Sequence, residues 1–189
     1  MRHVTLITTG GTIEKTFDET SGTMENRGSI VRRMTNRLRL EGTQVHVVEL
    51  MSKDSLLMTE DDRSRIIEAV RAAGAESPGS GTPAGVCAGV IVLHGTDTLS
   101  VTGERLHARL SSLRVPVILT GAMRPYEMKR SDALQNLTES IFATGVLSPG
   151  VYCVAHGRAL RFPGVVKDRA LLTFVKPGES GVAVEHTAR

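Results

Sequence analysis

A chain of 189 residues, 40% of them hydrophobic, is long enough for one sizeable core and short for two full domains. With aromatics at 3% and no Trp, the core must be packed from Val, Ile, Leu and Ala, as in α/β proteins, and no interleaved aromatics support stacking on RNA. The formal net charge of +3 is scattered except at Arg32, Arg33, Arg37 and Arg39, which read as a solvated helix face and not as a nucleic-acid stripe.

The first apolar run, Val4 to Thr8, ends at Thr9-Gly10-Gly11-Thr12. It is too short for the apolar region of a secretory leader, and no stretch approaches the roughly 18 apolar residues of a membrane span, so a cytoplasmic protein without a membrane partner is expected. A helix is predicted over Ser29 to Leu40, with Ile30, Met34 and Leu38 on one face, followed by a strand over Val45 to Met51. The next helix is better marked. Thr59 can cap it with Asp62 three residues on, Ile66, Ile67, Val70 and Ala73 share a face, and Gly74 stops it.

Residues 76–85 have the composition of a flexible surface loop and read as an insertion in a single domain covering 1–189. Beyond it come a strand over Gly89 to His94, a helix over Leu99 to Leu113 despite Gly103, and a strand over Val115 to Thr120. A helix starting near Ser131, with Leu134, Leu137 and Ile141 inward, leads to a fifth strand over Val151 to Ala155. Gly178 to Arg189 reads as a tail. Cys87 and Cys153 each lie beside an apolar run, which suits reduced packing residues better than a disulfide.

Strands alternating with helices predict an α/β fold: an open, mostly parallel sheet with helices on both faces. Ligands bind such sheets beyond the carboxyl ends of the strands, where strand order switches. Reactive residues collect at those ends: Thr9-Gly10-Gly11-Thr12, Ser52-Lys53-Asp54, Gly95-Thr96-Asp97-Thr98 and Gly121-Ala122-Met123-Arg124-Pro125. Paired glycines permit a tight turn whose amides can face an oxyanion, although a plain β-turn is an equal reading. Neither the Gly-Lys-Ser/Thr ending of a phosphate loop nor GxGxxG is present there. Thr96 and Asp97 could cap the next helix, and Asp97 could also receive a ligand's ammonium group. A threonine needs a base to act as a nucleophile, and Lys167 is the candidate, although a lone lysine is more often a surface charge.

Thr9-Gly10-Gly11-Thr12-Ile13, His94-Gly95-Thr96-Asp97-Thr98 and Gly121-Ala122-Met123-Arg124-Pro125, in this order and spacing, resemble the signatures of bacterial-type L-asparaginases and related glutaminases. The similarity runs through essentially the whole chain and implies the flavodoxin-like N-terminal domain of that family. It implies Thr12 as the acylating nucleophile and Thr96, Lys167 and Asp97 as a triad that activates water or assists the attack. Ser52 would hold the substrate α-carboxylate, Asp97 the α-ammonium, and the Ala122 carbonyl would face the side-chain amide. Backbone amides around Gly11, Gly95 and Thr96 would form the oxyanion hole. The implied reaction is hydrolysis of L-asparagine to L-aspartate and ammonia, with no metal and no organic cofactor; His94 and His156 read as structural.

Two departures from the family pattern stand out. Its loop after Gly-Gly-Thr carries a tyrosine, whereas Phe17 is the expected occupant here, with Glu14, Lys15, Thr16 or Asp18 available to take part of the role. The smaller C-terminal domain of most relatives is also missing from the chain, so a short one-domain form is expected. A homodimer or higher homo-oligomer would then supply walls to an open site. Two other readings fit the sequence: a non-catalytic or weakly active amino-acid-binding homologue, and an amidase acting on a larger amide.

Overall fold

The computed structural model describes residues 1–76 and 87–178. The loop expected over 76–85 therefore lies outside the described residues except for Glu76, as does the tail from 179 onward. The elements run β1 (Arg2–Gly10), β2 (Thr16–Asp18), β3 (Thr23–Glu25), α1 (Val31–Thr35), β4 (Thr43–Lys53), α2 (Glu60–Ala72) and β5 (Cys87–Leu93). They continue with α3 (Leu99–Arg109), β6 (Pro116–Thr120), α4 (Ala133–Ala143), β7 (Gly150–Ala155), β8 (Arg158–Arg161), β9 (Val166–Asp168) and β10 (Thr173–Val175).

One sheet orders its strands β4-β1-β5-β6-β7-β8; the first five are parallel, and β8 returns antiparallel to β7. The chain winds outward from β1 to β4 and then crosses back to β5, so strand order switches between β1 and β5. The five strands expected from the apolar runs are all present. Continuous apolar runs suit β1, β5, β6 and β7, which are covered on both faces, whereas the edge strand β4 has no fully buried residue. Along β5, Val90 and Val92 enter one core with Ile66, Val70 and Leu106 of α2 and α3, while Ile91 and Leu93 enter a second core with Val31, Met34, Leu137 and Ile141 of α1 and α4. Burying each such side chain contributes roughly 1.5–3 kcal/mol.

The capping box predicted for α2 is formed: Thr59 Oγ1 accepts the Asp62 N–H, and the Asp62 carboxylate accepts the Thr59 N–H. The helix expected over Ser29 to Leu40 is shorter, only Val31–Thr35. Its end tightens into turns in which the amides of Arg37 and Leu38 reach back three residues, to Met34 and Thr35. Leu38 still packs on the core by this route. The hairpins β2–β3 and β9–β10 and the strand β8 were not expected, because three or four residues carry no readable periodicity.

Gly103 interrupts the helical pattern of α3 for a packing reason. A Cβ there would stand 2.0 Å from the ring of buried Phe162. Gly103→Ala should therefore destabilise the fold by about 2 kcal/mol, overpacking outweighing the ~1 kcal/mol gain in helix propensity. Urea unfolding checks this through a lowered midpoint at unchanged slope.

Candidate active site

The turn after β1 is shaped by two glycines in the left-handed region, Gly10 at φ 92° and Gly11 at φ 82°. A Cβ on Gly10 would lie 2.4 Å from the Lys53 amide nitrogen, and one on Gly11 would lie 2.4 Å from the Gly95 Cα. Backbone contact this close draws the ends of β1, β4 and β5 together at the switch point. Thr12 opens the short 3-10 turn that follows β1 and is half-buried. Lys15, just after that turn, pairs with Asp54 beyond β4 at 3.0 Å and fastens the same two loops.

At the end of β5, Thr96 is 4% exposed. Lys167 Nζ, carried by the β9–β10 hairpin, donates to Thr96 Oγ1 at 2.7 Å and to Asp97 Oδ1 at 3.1 Å. The structure thus joins three of the four expected catalytic side chains in one hydrogen-bonded chain and sets Thr12 on the neighbouring strand end. Arg169, which sequence reasoning did not single out, also reaches Asp97 Oδ1, at 3.0 Å. Both cations use the same oxygen, and no hydrogen bond or ion pair from the described residues falls on Asp97 Oδ2.

Two expectations need correction. Ser52 is exposed on β4, because the strand continues to Lys53 and keeps Ser52 on its outer side. Ser55, after the Asp54 turn, is buried instead, and a Cβ at Gly95 would stand 2.5 Å from its Oγ. Ser55, and not the Ser52 expected to hold the substrate α-carboxylate, therefore stands against Gly95, and the signal was the Asp54-Ser55 pair opening a new turn. The Gly11 amide donates to the Lys53 carbonyl at 3.0 Å, so it is not available to an oxyanion. The amides of Thr12 and Thr96 have no partner among the described residues and can take that part.

The loop after β6 is held by Asp132. Its carboxylate accepts the amides of Met123 (2.9 Å) and Arg124 (3.0 Å), the Asn136 side-chain amide (2.9 Å) and His156 Nε2 (2.8 Å). Burial alone would raise its pKa, but these bonds, His156 foremost, hold it at about 2. Asn136 also donates to the Gly121 carbonyl at 2.9 Å, whereas the Ala122 carbonyl accepts nothing from the described residues. His156 Nδ1 lies 2.9 Å from Thr173 Oγ1 on β10 and so links this loop to the hairpin that carries Lys167. His94 is fully buried between the Gly95 carbonyl and Thr102 Oγ1, and burial lowers its pKa to about 4, which keeps it neutral. Phe17 lies on β2, 56% exposed, with its N–H donated to Glu127. Asp18, another alternative for the tyrosine role, is committed to Arg27 and to the amides of Thr20 and Ser21.

Among the described residues, no group of three or more His, Cys, Asp or Glu could hold a metal ion, and no helix is long and apolar enough to cross a membrane. Both cysteines are free thiols.

Residues 3–178 match the family model described as asparaginase, N-terminal. The chain is 28% identical over 144 residues to the L-asparaginase of Thermococcus kodakarensis, covering 76% of this chain and 41% of that protein. It is 27% identical over 165 residues to a glutamyl-tRNA(Gln) amidotransferase subunit from Methanococcus vannielii, covering 83% of this chain and 35% of that one. The chain thus spans less than half the length of these relatives. Among solved structures, the thermostable L-asparaginase from Thermococcus kodakarensis superposes with a TM-score of 0.79 at 26% identity, covering 92% of this chain and 51% of that chain. A probable cytoplasmic L-asparaginase from Campylobacter jejuni, at 22% identity and a TM-score of 0.73 over 94% of this chain and 52% of that one, shares the fold. With the family model running through almost the whole described sheet and its strand-end motifs, the chain belongs to the asparaginase family, in its N-terminal domain.

Proposed function

We propose that this chain hydrolyses L-asparagine to L-aspartate and ammonia through a threonine acyl-enzyme. The observation that carries the reading is the Thr96–Lys167–Asp97 chain of hydrogen bonds beside Thr12 at the switch in strand order. Thr12 Oγ attacks the side-chain amide carbon, and the carbonyl oxygen becomes an oxyanion facing the free amides of Thr12 and Thr96. Collapse of this intermediate breaks the C–N bond, and the nitrogen leaves as ammonia carrying the proton that the Thr12 hydroxyl gave up on attack. Water then attacks the ester, its proton passing through Thr96 and Lys167 to the departing Thr12 Oγ, and aspartate is released with the Thr12 hydroxyl restored.

Asp97 Oδ2 suits the substrate ammonium, Ser55 its α-carboxylate, and the unpaired Ala122 carbonyl the amide NH2. Phe17 supplies no hydroxyl, which lowers the rate without changing the reaction. We place this domain in the cytoplasm, where its thiols stay reduced. Leu56, Leu57, Leu171 and Leu172 are exposed on turns after β4 and β9, and a homodimer or higher oligomer would cover this rim. A second reading, an amidase for a larger amide, is favoured by Arg169, which spends its guanidinium on Asp97 at the mouth and competes there with a small ammonium.

Purified protein incubated with L-asparagine, and separately with L-glutamine, should release ammonia, and Thr12→Ala and Thr96→Ala should lose that release. Wild-type protein silent on asparagine but active on longer amides would favour the second reading. Equal turnover by wild type and both variants would remove the threonines from the chemistry.

A further inference from the structure

The Gly10–Thr12 turn is held by a carboxylate that the reaction scheme leaves unused. Glu14 is 1% exposed. Its Oε2 accepts the Gly10 N–H at 3.0 Å, and its Oε1 accepts the Ser29 hydroxyl at 2.5 Å. Gly10 is the last residue of β1, and Ser29 lies beyond the β2–β3 hairpin, just before α1. One side chain thus joins the point where the chain leaves the sheet to the point where it returns.

Thr12 sits inside this clasp. It follows two glycines with little backbone preference of their own, held on the β4 side by the Gly11 N–H bond to the Lys53 carbonyl, so its position depends also on what closes the turn. Two backbone bonds do so from within, Glu14 N–H to the Gly11 carbonyl and Lys15 N–H to the Thr12 carbonyl, both 3.2 Å. The Glu14 carboxylate does so from outside the turn. No cation pairs with it among the described residues, because Lys15 is committed to Asp54, and Glu49 on β4 adds a like charge. A buried acid without a counter-ion costs stability, and here both of its oxygens are spent on fixing the turn and the segment before α1.

We propose that Glu14 is a positioning residue, acting on Thr12 through Gly10 and on the excursion over 15–28 through Ser29; the proposal rests on Thr12 being the nucleophile. Glutamine preserves both bonds, since its carbonyl accepts from Gly10 and its amide donates to Ser29 Oγ. Alanine removes both. Aspartate, one methylene shorter, cannot span them.

Steady-state ammonia release from L-asparagine by the full chain tests this. Glu14→Ala should lower kcat about 30-fold with KM within about threefold, the scale of a small nucleophile misplacement. Glu14→Gln should recover kcat to within about threefold of wild type. Ser29→Ala should lose a smaller factor, and Ser29→Ala added to Glu14→Ala should lose nothing further. If Glu14→Ala fails to fold by circular dichroism, Glu14→Asp takes its place with the same expected loss.

Wild-type kcat in Glu14→Ala or Glu14→Asp, full additivity with Ser29→Ala, or a Glu14→Gln as impaired as alanine would each overturn the proposal. If the wild-type protein releases no ammonia, the functional reading fails, and amide exchange decides the clasp by itself. Exchange at Gly10, Gly11 and Thr12 should be faster in Glu14→Ala than in wild type, and equal exchange would overturn it.

Discussion

Lys167→Met should lower kcat for ammonia release by about 10³-fold while KM stays within about threefold, the scale expected when a proton-transfer group is lost. Methionine keeps the unbranched stem that crosses from β9 toward Thr96 but ends in a thioether that cannot donate or relay a proton. The Lys167 side chain is only 14% exposed, so bulk water does not readily replace it beside Thr96 Oγ1. The loss belongs in kcat because Lys167 bonds to Thr96 Oγ1, the hydroxyl that passes the proton. Asp97 remains paired through Arg169 at 3.0 Å, so no carboxylate is abandoned and the fold should survive. Asp97→Asn, by contrast, should raise KM, since it removes the charge that would face a substrate ammonium. A Lys167→Met variant that keeps a tenth or more of wild-type kcat, with native circular dichroism, would take Lys167 out of the proton path.

The long-range order of this fold was readable because it is written in long apolar runs. Val90–Leu93 and Val117–Leu119 are buried on both sides, and β-branched runs of this kind leave few alternatives to a covered parallel strand. Thr96 and Asp97 were then placed by the end of β5 without reference to any relative. Lys167 was harder: it rides on a three-residue strand, and it was singled out by a threonine's need for a base, with the resemblance adding its position. Ser52 was misplaced by local geometry that periodicity cannot resolve. The β4 strand runs two residues beyond the expected Met51, and the Asp54 turn then delivers Ser55, not Ser52, to Gly95. The Gly11 amide was misjudged for a related reason, since its bond to Lys53 depends on how closely two strand ends approach. The role of Ser29 was hidden altogether. It read as the start of a helix, yet its hydroxyl is held by a carboxylate fifteen residues earlier.

Glu14→Gln should also change how stability depends on pH. Burial raises the Glu14 pKa from its ordinary 4.5 to about 7, against the opposing hydrogen bonds from Ser29, Gly10 and Ile30. Between those values the unfolded chain has released this proton while the folded chain keeps it. Stability from Glu14 is therefore complete below pH 4.5, falls as pH rises and is gone above about 7, a loss of up to about 3 kcal/mol. His94 works in the opposite sense across an overlapping window. Its pKa is lowered from 6.5 to about 4 by burial, so its contribution is present above pH 6.5 and lost as pH falls toward 4. Asp62 and Asp132, both held at about 2, titrate below this range. In the wild-type protein the two slopes largely offset each other between pH 4.5 and 6.5. Removing the Glu14 proton site should expose the His94 slope, so that Glu14→Gln gains stability from pH 5 to 6.5 while wild type stays nearly flat. Urea unfolding of both proteins at pH 5, 6.5 and 8 measures the difference, in which every other group cancels. The variant should gain on wild type by up to about 3 kcal/mol across the series. A difference that stays constant with pH would mean that Glu14 is ionised throughout and that Ser29 and Gly10 outweigh its burial.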